Sequence, residues 1–301
     1  VDTLSAKAAQ PPNIIFSISD EEAWTDYGFM GHPYIETPHL DRLAAQSAVF
    51  TRGYVPTALC RPSLATFITG KYAHQHRISG NDPALLPSML NAQSGQGEPE
   101  DYRRLREQLI SHIDQHPTLP KLLTDKGYAS LQTGKWWEGK YARGGFTEGM
   151  TRGYPHPGGR HGDDGLKIGR EGMDPIFDFI DRQVAIEKPF FIWYAPFLPH
   201  APHTPPDRLF QRYKAKGIAS DHVARYYAMV EWFDETCGQL LHYLDSKGLR
   251  ENSLIVYIAD NGWIQQAETP GFAPRSKQSA HEGGVRQPTM FCLPGAIQPG
   301  D

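Results

Sequence analysis

The stretch Ser253-Leu254-Ile255-Val256-Tyr257-Ile258-Ala259-Asp260-Asn261-Gly262 gives the chain its architecture. Its first seven residues are almost all apolar or β-branched, and three turn-forming residues end the run. A short apolar run bounded in this way reads as a strand buried on both faces, the kind found in a parallel sheet covered by helices. Just before it, residues 222–247 have the pattern of a long amphipathic helix, with Gly248 as its stop. The same alternation recurs along the chain. Strands are predicted at 13–19 (NIIFSIS), 48–51, 128–132, 189–195 and 289–293, and helices at 102–112, 118–126 and 173–183. A further helix opens at Thr37-Pro38, with Thr37 as N-cap and Pro38 at the first helical position. Strands alternating with helices imply an α/β fold with a mostly parallel central sheet and helices on both faces.

In such sheets, ligands bind beyond the carboxyl ends of the strands. The first strand ends in Asp20-Glu21, and the one at 128–132 leads to Gly134-Lys135. The strand at 189–195 leads to His200 and His203, and the one opened on above ends in Asp260-Asn261. Ionisable or metal-binding groups at four strand ends point to one composite site. Asp20, Glu21, Asp260 and Asn261 all offer oxygen, a donor set that selects Ca2+ or Mg2+ over zinc. Taken alone, Asp260-Asn261-Gly262 also fits a plain turn.

Composition narrows the alternatives. A net charge of −4 gives no overall pull toward nucleic acid, so an anionic substrate must be met by a local cluster of cations. No apolar run reaches the roughly 18 residues of a membrane span. The three cysteines, Cys60, Cys237 and Cys292, form no disulfide framework. Residues 1–10 are small and polar, without the basic and apolar regions of a signal peptide. Residues 92–99 read as a surface loop. The glycine-rich stretch 143–172 is too long for a simple connection and belongs to the class of loops that carry function. Within it, Arg160-His161-Gly162-Asp163-Asp164-Gly165 reads either as a second metal site or as a polar loop at the substrate entrance, where Arg160, His161, Lys167 and Arg170 are cations that could contact an acidic sugar.

Cys60 stands in Ala58-Leu59-Cys60-Arg61-Pro62-Ser63-Leu64-Ala65-Thr66-Phe67-Ile68-Thr69-Gly70-Lys71, just before a Pro-led helix that stops at Gly70. A helix N-terminus favours an oxyanion through its free N–H groups and its dipole. This run resembles the type I sulfatase signature Cys-x-Pro-Ser-Arg with its Thr-Gly-Lys/Arg end, except that Leu64 replaces the arginine. Thr133-Gly134-Lys135-Trp136-Trp137-Glu138-Gly139 is similar to the family's Thr-Gly-Lys-Trp-His-Leu-Gly, with Trp137 in place of the histidine. The segment from Lys277 through Glu282-Gly283-Gly284-Val285-Arg286-Gln287-Pro288 resembles its Lys-x4-Glu-Gly-Gly-x-Arg-x-Pro. His200 and His203 lie in its Pro-His-x-Pro context, His200 fitting it better.

The resemblance implies a single catalytic domain over 1–301 with an alkaline-phosphatase-like α/β fold, and the family's C-terminal subdomain absent or truncated. It implies hydrolysis of a sulfate ester by Cys60, oxidised by a maturase to formylglycine and used as its hydrate. The metal, usually Ca2+, would sit on Asp20, Glu21, Asp260 and Asn261. Lys135 and Lys277 would bind sulfate, and His200 or Lys277 would protonate the departing alcohol. His203 and Arg61 would be further substrate contacts, Arg61 or another cation taking the place beside the nucleophile that Leu64 leaves without one. Glu282 and Arg286 read as a structural pair. The long polar loops favour a sulfated polysaccharide or oligosaccharide, and the family favours the periplasm or the cell exterior. The alternatives are a phosphodiesterase or phosphonate hydrolase of the same superfamily, and an inactive glycan-binding relative.

Overall fold

The structure is a computed structural model and describes residues 10–84 and 99–300. Nearly all of the polar start at 1–10 and of the loop expected at 92–99 lies outside the described residues.

Seven strands form one sheet: β1 (Asn13–Ser19), β2 (Ala48–Phe50), β3 (Ala129–Gly134), β4 (Glu148–Gly149), β5 (Phe190–Ala195), β6 (Ser253–Ala259) and β7 (Thr289–Cys292). Their order is β2-β7-β6-β1-β5-β3-β4. The block β6-β1-β5-β3-β4 is parallel, and β7 runs antiparallel to both β6 and β2. β3 and β5 are buried at every position, as expected of central strands covered on both faces. The strongly apolar run at 253–259 therefore lies where its pattern places it, in register beside β1 with Ile15 opposite Ile255.

Alternation along β5 supplies two separate cores. Ile192 and Tyr194 face the helices Asp174–Ala185 and Asp221–Ser246, packing with Phe179, Met229, Phe233 and Leu240. Phe191 and Trp193 face the other way, toward Cys60, Leu64 and Ile68 of the helix Cys60–Thr69 and toward Trp136 and Phe146. Helices thus cover both faces. Among the described residues no helix is long and apolar enough to cross a membrane.

Two local expectations change. Thr37 sits at the N-cap position of the helix Pro38–Ala44, but its hydroxyl does not cap it. It donates instead to Asp41 Oδ1 (2.8 Å) and accepts from Gly28 N–H. The open N–H groups of His39 and Leu40 are taken by Asp234 of the helix Asp221–Ser246, at 3.2 and 2.7 Å. The Cys60 helix begins at Cys60 itself, so the thiol lies in its first turn rather than ahead of it. The helix Asp207–Ala215 and the two-residue strand β4 were not legible beforehand.

Candidate active site

The carboxyl ends of β1, β3, β5 and β6 converge. Beyond β1, Asp20 N–H donates to Leu198 O (2.9 Å), and Asp260 N–H donates back to Ser19 O (2.9 Å). Glu21 adopts φ 70°, a left-handed conformation that costs a non-glycine residue strain. That turn lets its N–H donate to Asp260 Oδ1 at 3.0 Å. β3 turns at Gly134, also left-handed, where a Cβ would lie 1.8 Å from Ala195 O. Glycine is therefore required, and Lys135 N–H closes the turn on Ala195 O at 2.7 Å.

These turns bring the expected residues together. Lys135 Nζ lies 2.6 Å from Asp20 Oδ1. Glu21 Oε1 receives Lys277 Nζ, His200 Nε2 at 2.7 Å and the Cys60 thiol at 3.4 Å. Ligand atoms of Asp20, Glu21, Cys60 and His200 all fall within 4.8 Å of one another. The second oxygens of the same carboxylates are different. Asp20 Oδ2, Glu21 Oε2, Asp260 Oδ2 and Asn261 Oδ1 are all buried with no hydrogen-bond partner among the described residues. Buried oxygens left open cost free energy, and four of them clustered around strand ends call for a partner. They are hard donors on exactly those residues read as ligands from the sequence, so the site fits a divalent cation of the Ca2+ or Mg2+ type. Asp260 adjoins this cluster through its bond to Glu21 and brings its own open oxygen to the same edge.

Charge follows from burial and neighbours. Burial opposes ionisation of Asp20, but Lys135, His200 and Lys277 outweigh it and hold its carboxyl below the usual range. Burial, and then Asp20, push the Asp260 carboxyl well up. Burial resists the charge on Lys135, yet Asp20, Cys60 and Asp260 keep it firmly protonated. Burial pushes the Cys60 thiol well up against the pull of Lys135, so this is not a thiolate site. Burial and Lys135 lower His200 to about 4, and burial lowers Lys277 to about 8.

Other expected residues land elsewhere. His203 stands outside that cluster, its ring beside Tyr226 and Trp263 at 5.4 and 5.8 Å. Arg61 does not fit a substrate-binding role: it is fully buried and its donors are committed. Nε and Nη2 grip Glu138 at 2.8 and 2.7 Å, and Nη1 reaches Asn81 O at 3.3 Å. Leu64 joins the apolar cluster that holds Trp136 and Trp137. The Asp163-Asp164 pair is part of a polar loop rather than a second metal site. Asp163 accepts from the N–H groups of Arg152, Gly153 and Asp164, and Asp164 pairs with Arg152 and Lys167. Glu282 and Arg286 do pair, at 3.3 Å. Arg170, read from the sequence as one of the cations near the substrate entrance, forms a clamp on the histidine loop instead, donating to Phe197 O (2.8 Å), Thr204 Oγ1 (3.1 Å) and His200 O (3.1 Å). No local signal marks that clamp, because the partners lie on a loop 27 to 34 residues away.

Fold and site together define an alkaline-phosphatase-like α/β protein with a buried carboxylate, lysine and cysteine centre at the carboxyl edge of its sheet. The chain belongs to the sulfatase family, whose model matches residues 12–300. It is 29% identical over 333 residues to N-acetylgalactosamine-6-sulfatase of Canis lupus familiaris, covering 98% of this chain and 60% of that protein. It is 27% identical over 337 residues to human arylsulfatase A, covering 97% of this chain and 61% of that one. Among solved structures, Ps i-CgsB superposes with a TM-score of 0.70 at 25% identity, over 97% of this chain and 68% of its own. The same protein has been solved in complex with k-i-k-neocarrahexaose. The chain spans about 60% of the length of these two curated relatives.

Proposed function

We propose that the protein hydrolyses sulfate esters of a sulfated polysaccharide or oligosaccharide, with Cys60 as the source of the nucleophile. The observation that carries this reading is the meeting of Cys60, Lys135, Lys277 and His200 with four open buried oxygens at one edge of the sheet. Asp20, Glu21, Asp260 and Asn261 would hold Ca2+, with Mg2+ as the alternative, and the bound cation supplies Lewis-acid polarisation of the sulfuryl oxygens. As a thiol, Cys60 is a poor nucleophile here, since burial among carboxylates disfavours its ionised form. Conversion by a maturase to formylglycine, followed by hydration, would give that position a hydroxyl aimed into the same space. Lys135 and Lys277 would hold charge that builds on the sulfuryl oxygens, and such preorganised charges stabilise a transition state. The proton for the departing alcohol would come from Lys277, whose ammonium burial lowers to about 8, or from His200 once the site raises it from about 4. The named relatives include an N-acetylgalactosamine-6-sulfatase, which supports a sugar sulfate as substrate class. The family relationship supports a periplasmic or extracellular location.

The test is to express the chain with and without a maturase and to read the Cys60 peptide by mass spectrometry. The matured form should carry the aldehyde and release sulfate from 4-nitrophenyl sulfate, with kcat/KM above that for 4-nitrophenyl phosphate. An unmodified thiol beside a competent maturase overturns the formylglycine route. Preference for the phosphate ester overturns the sulfatase reading.

A further inference from the structure

The glycine-rich excursion after β4 returns to the end of β3, and glycines make that return possible. A Cβ on Gly162 or Gly165 would lie 2.9 or 2.7 Å from Gly134 O. Trp136 N–H donates to His161 O at 3.1 Å, and Thr151 Oγ1 donates to Gly162 O at 2.9 Å. His161 is thereby fixed beside the Lys135 turn. Its imidazole packs against Trp137 (centroids 5.2 Å apart) and Phe197 (5.4 Å). The Phe197 ring in turn lies 4.3 Å from the His200 ring and 5.5 Å from Lys135 Nζ. One aromatic ring thus separates His161 from two groups of the site. Its Nδ1 is buried without a partner among the described residues. Burial, Lys135 and Arg160 push the imidazole down to about 3, so it is neutral in use and offers one donor and one acceptor.

We propose that His161 is a substrate-contacting residue of this site, a neutral imidazole that hydrogen-bonds an oxygen of the bound sulfuryl group from the Trp137 side. The proposal rests on the sulfate-ester reading above, and it supplies an uncharged donor beside the two lysines. A purely packing role for the ring, between Trp137 and Phe197, is the competing account.

His161→Phe keeps the aromatic packing and removes the hydrogen bond, whereas His161→Gln keeps a polar group. With matured, Ca2+-loaded full chain, His161→Phe should lose roughly tenfold or more in kcat/KM for 4-nitrophenyl sulfate, and His161→Gln should lose less. Inorganic sulfate, followed by calorimetry, should bind the Phe variant weaker by a similar factor. In the unaltered protein, inorganic sulfate should slow carbethoxylation of His161, read by peptide mass spectrometry, so one arm needs no variant. Phe-variant values within twofold of the unaltered protein, or no protection of His161, overturn the proposal. If the protein binds sulfate through His161 but cleaves no sulfate ester, the contact stands and the hydrolase reading falls. If it binds no sulfate at all, both fall.

Discussion

Replacing Glu138 by Gln should destabilise the protein by an amount the geometry sets. Arg61 and Glu138 have side chains 0% and 4% exposed and are joined by two hydrogen bonds of 2.8 and 2.7 Å. Gln keeps the shape but removes the charge, leaving a guanidinium buried without its counter-ion. Breaking a buried pair from one side costs about 3–5 kcal/mol, because the remaining charge has lost both water and partner. Unfolding entropy of about 2.1 cal/mol/K per residue, over 301 residues, gives about 0.6 kcal/mol/K. Tm should therefore fall by about 5–8 K. The double variant Arg61→Met with Glu138→Leu removes both charges and should recover most of that loss, since apolar replacement of a whole pair is often neutral. Differential scanning calorimetry at fixed Ca2+ reads both. A Glu138→Gln shift under about 2 K, or a double variant less stable than Glu138→Gln, would refute the reasoning.

Further outcomes follow from the same site and core. Ca2+ at a hundredfold excess over its Kd should stabilise the protein by about 2.7 kcal/mol, a Tm rise of about 4 K that Asp260→Ala abolishes. Calcium-free protein should bind inorganic sulfate more weakly than loaded protein, and equal affinities by calorimetry would sever the two sites. Arg170→Ala removes all three bonds that hold the histidine loop, so kcat should drop more than KM rises; Arg170→Lys, whose single nitrogen cannot span the partners that Nε, Nη1 and Nη2 reach, should not restore it. Burial raises the Asp234 carboxyl to about 8, above an unfolded value of about 3.9. The folded chain then keeps a proton the unfolded chain has lost, so this contribution is complete below about pH 4 and lost as pH rises through about 8. Urea unfolding of Asp234→Asn should therefore show a flatter decline between these limits than the unaltered protein, and parallel curves would contradict it.

The sheet and the edge at which the candidate site gathers were legible because both are local signals. A strand announces itself by an apolar run, and the residue that follows it announces the site. Asp20, Lys135 and Asp260 could be assigned to one edge without knowing any distance. What stayed hidden were side chains whose partners are remote in sequence. Arg61 looked like a free cation near Cys60, and only the fold brings Glu138, 77 residues on, against it. Asp234 caps a helix 195 residues away, so Thr37 held the expected position without the expected bond. His161 looked like part of a polar entrance, and the close approach of Gly162 and Gly165 to Gly134 is what turns it inward.

The departures from the family pattern also make sense together. Leu64, where the family has an arginine, lies in an apolar cluster with Trp136 and Trp137 and would leave a guanidinium there without an obvious counter-ion. The one arginine in that turn, Arg61, is already neutralised by Glu138, so neither position supplies net positive charge to a bound anion. In the proposed site that task would fall to Lys135 and Lys277, yet both are paired, with Asp20 and Glu21. Burial and Asp20 push Asp260 toward its neutral form, and the pairs Asp20–Lys135 and Glu21–Lys277 leave each ammonium group facing a carboxylate. An ammonium group held by a carboxylate has less attraction left for a sulfate ester. Lys135 and Lys277 can turn to an anionic substrate only when their carboxylates have another positive partner, and the open oxygens of Asp20, Glu21, Asp260 and Asn261 are where one fits. On the proposed function, cation and sulfate affinity would be tied through the same two lysines, which is why sulfate binding by calcium-free protein is the measurement that tests the whole site at once.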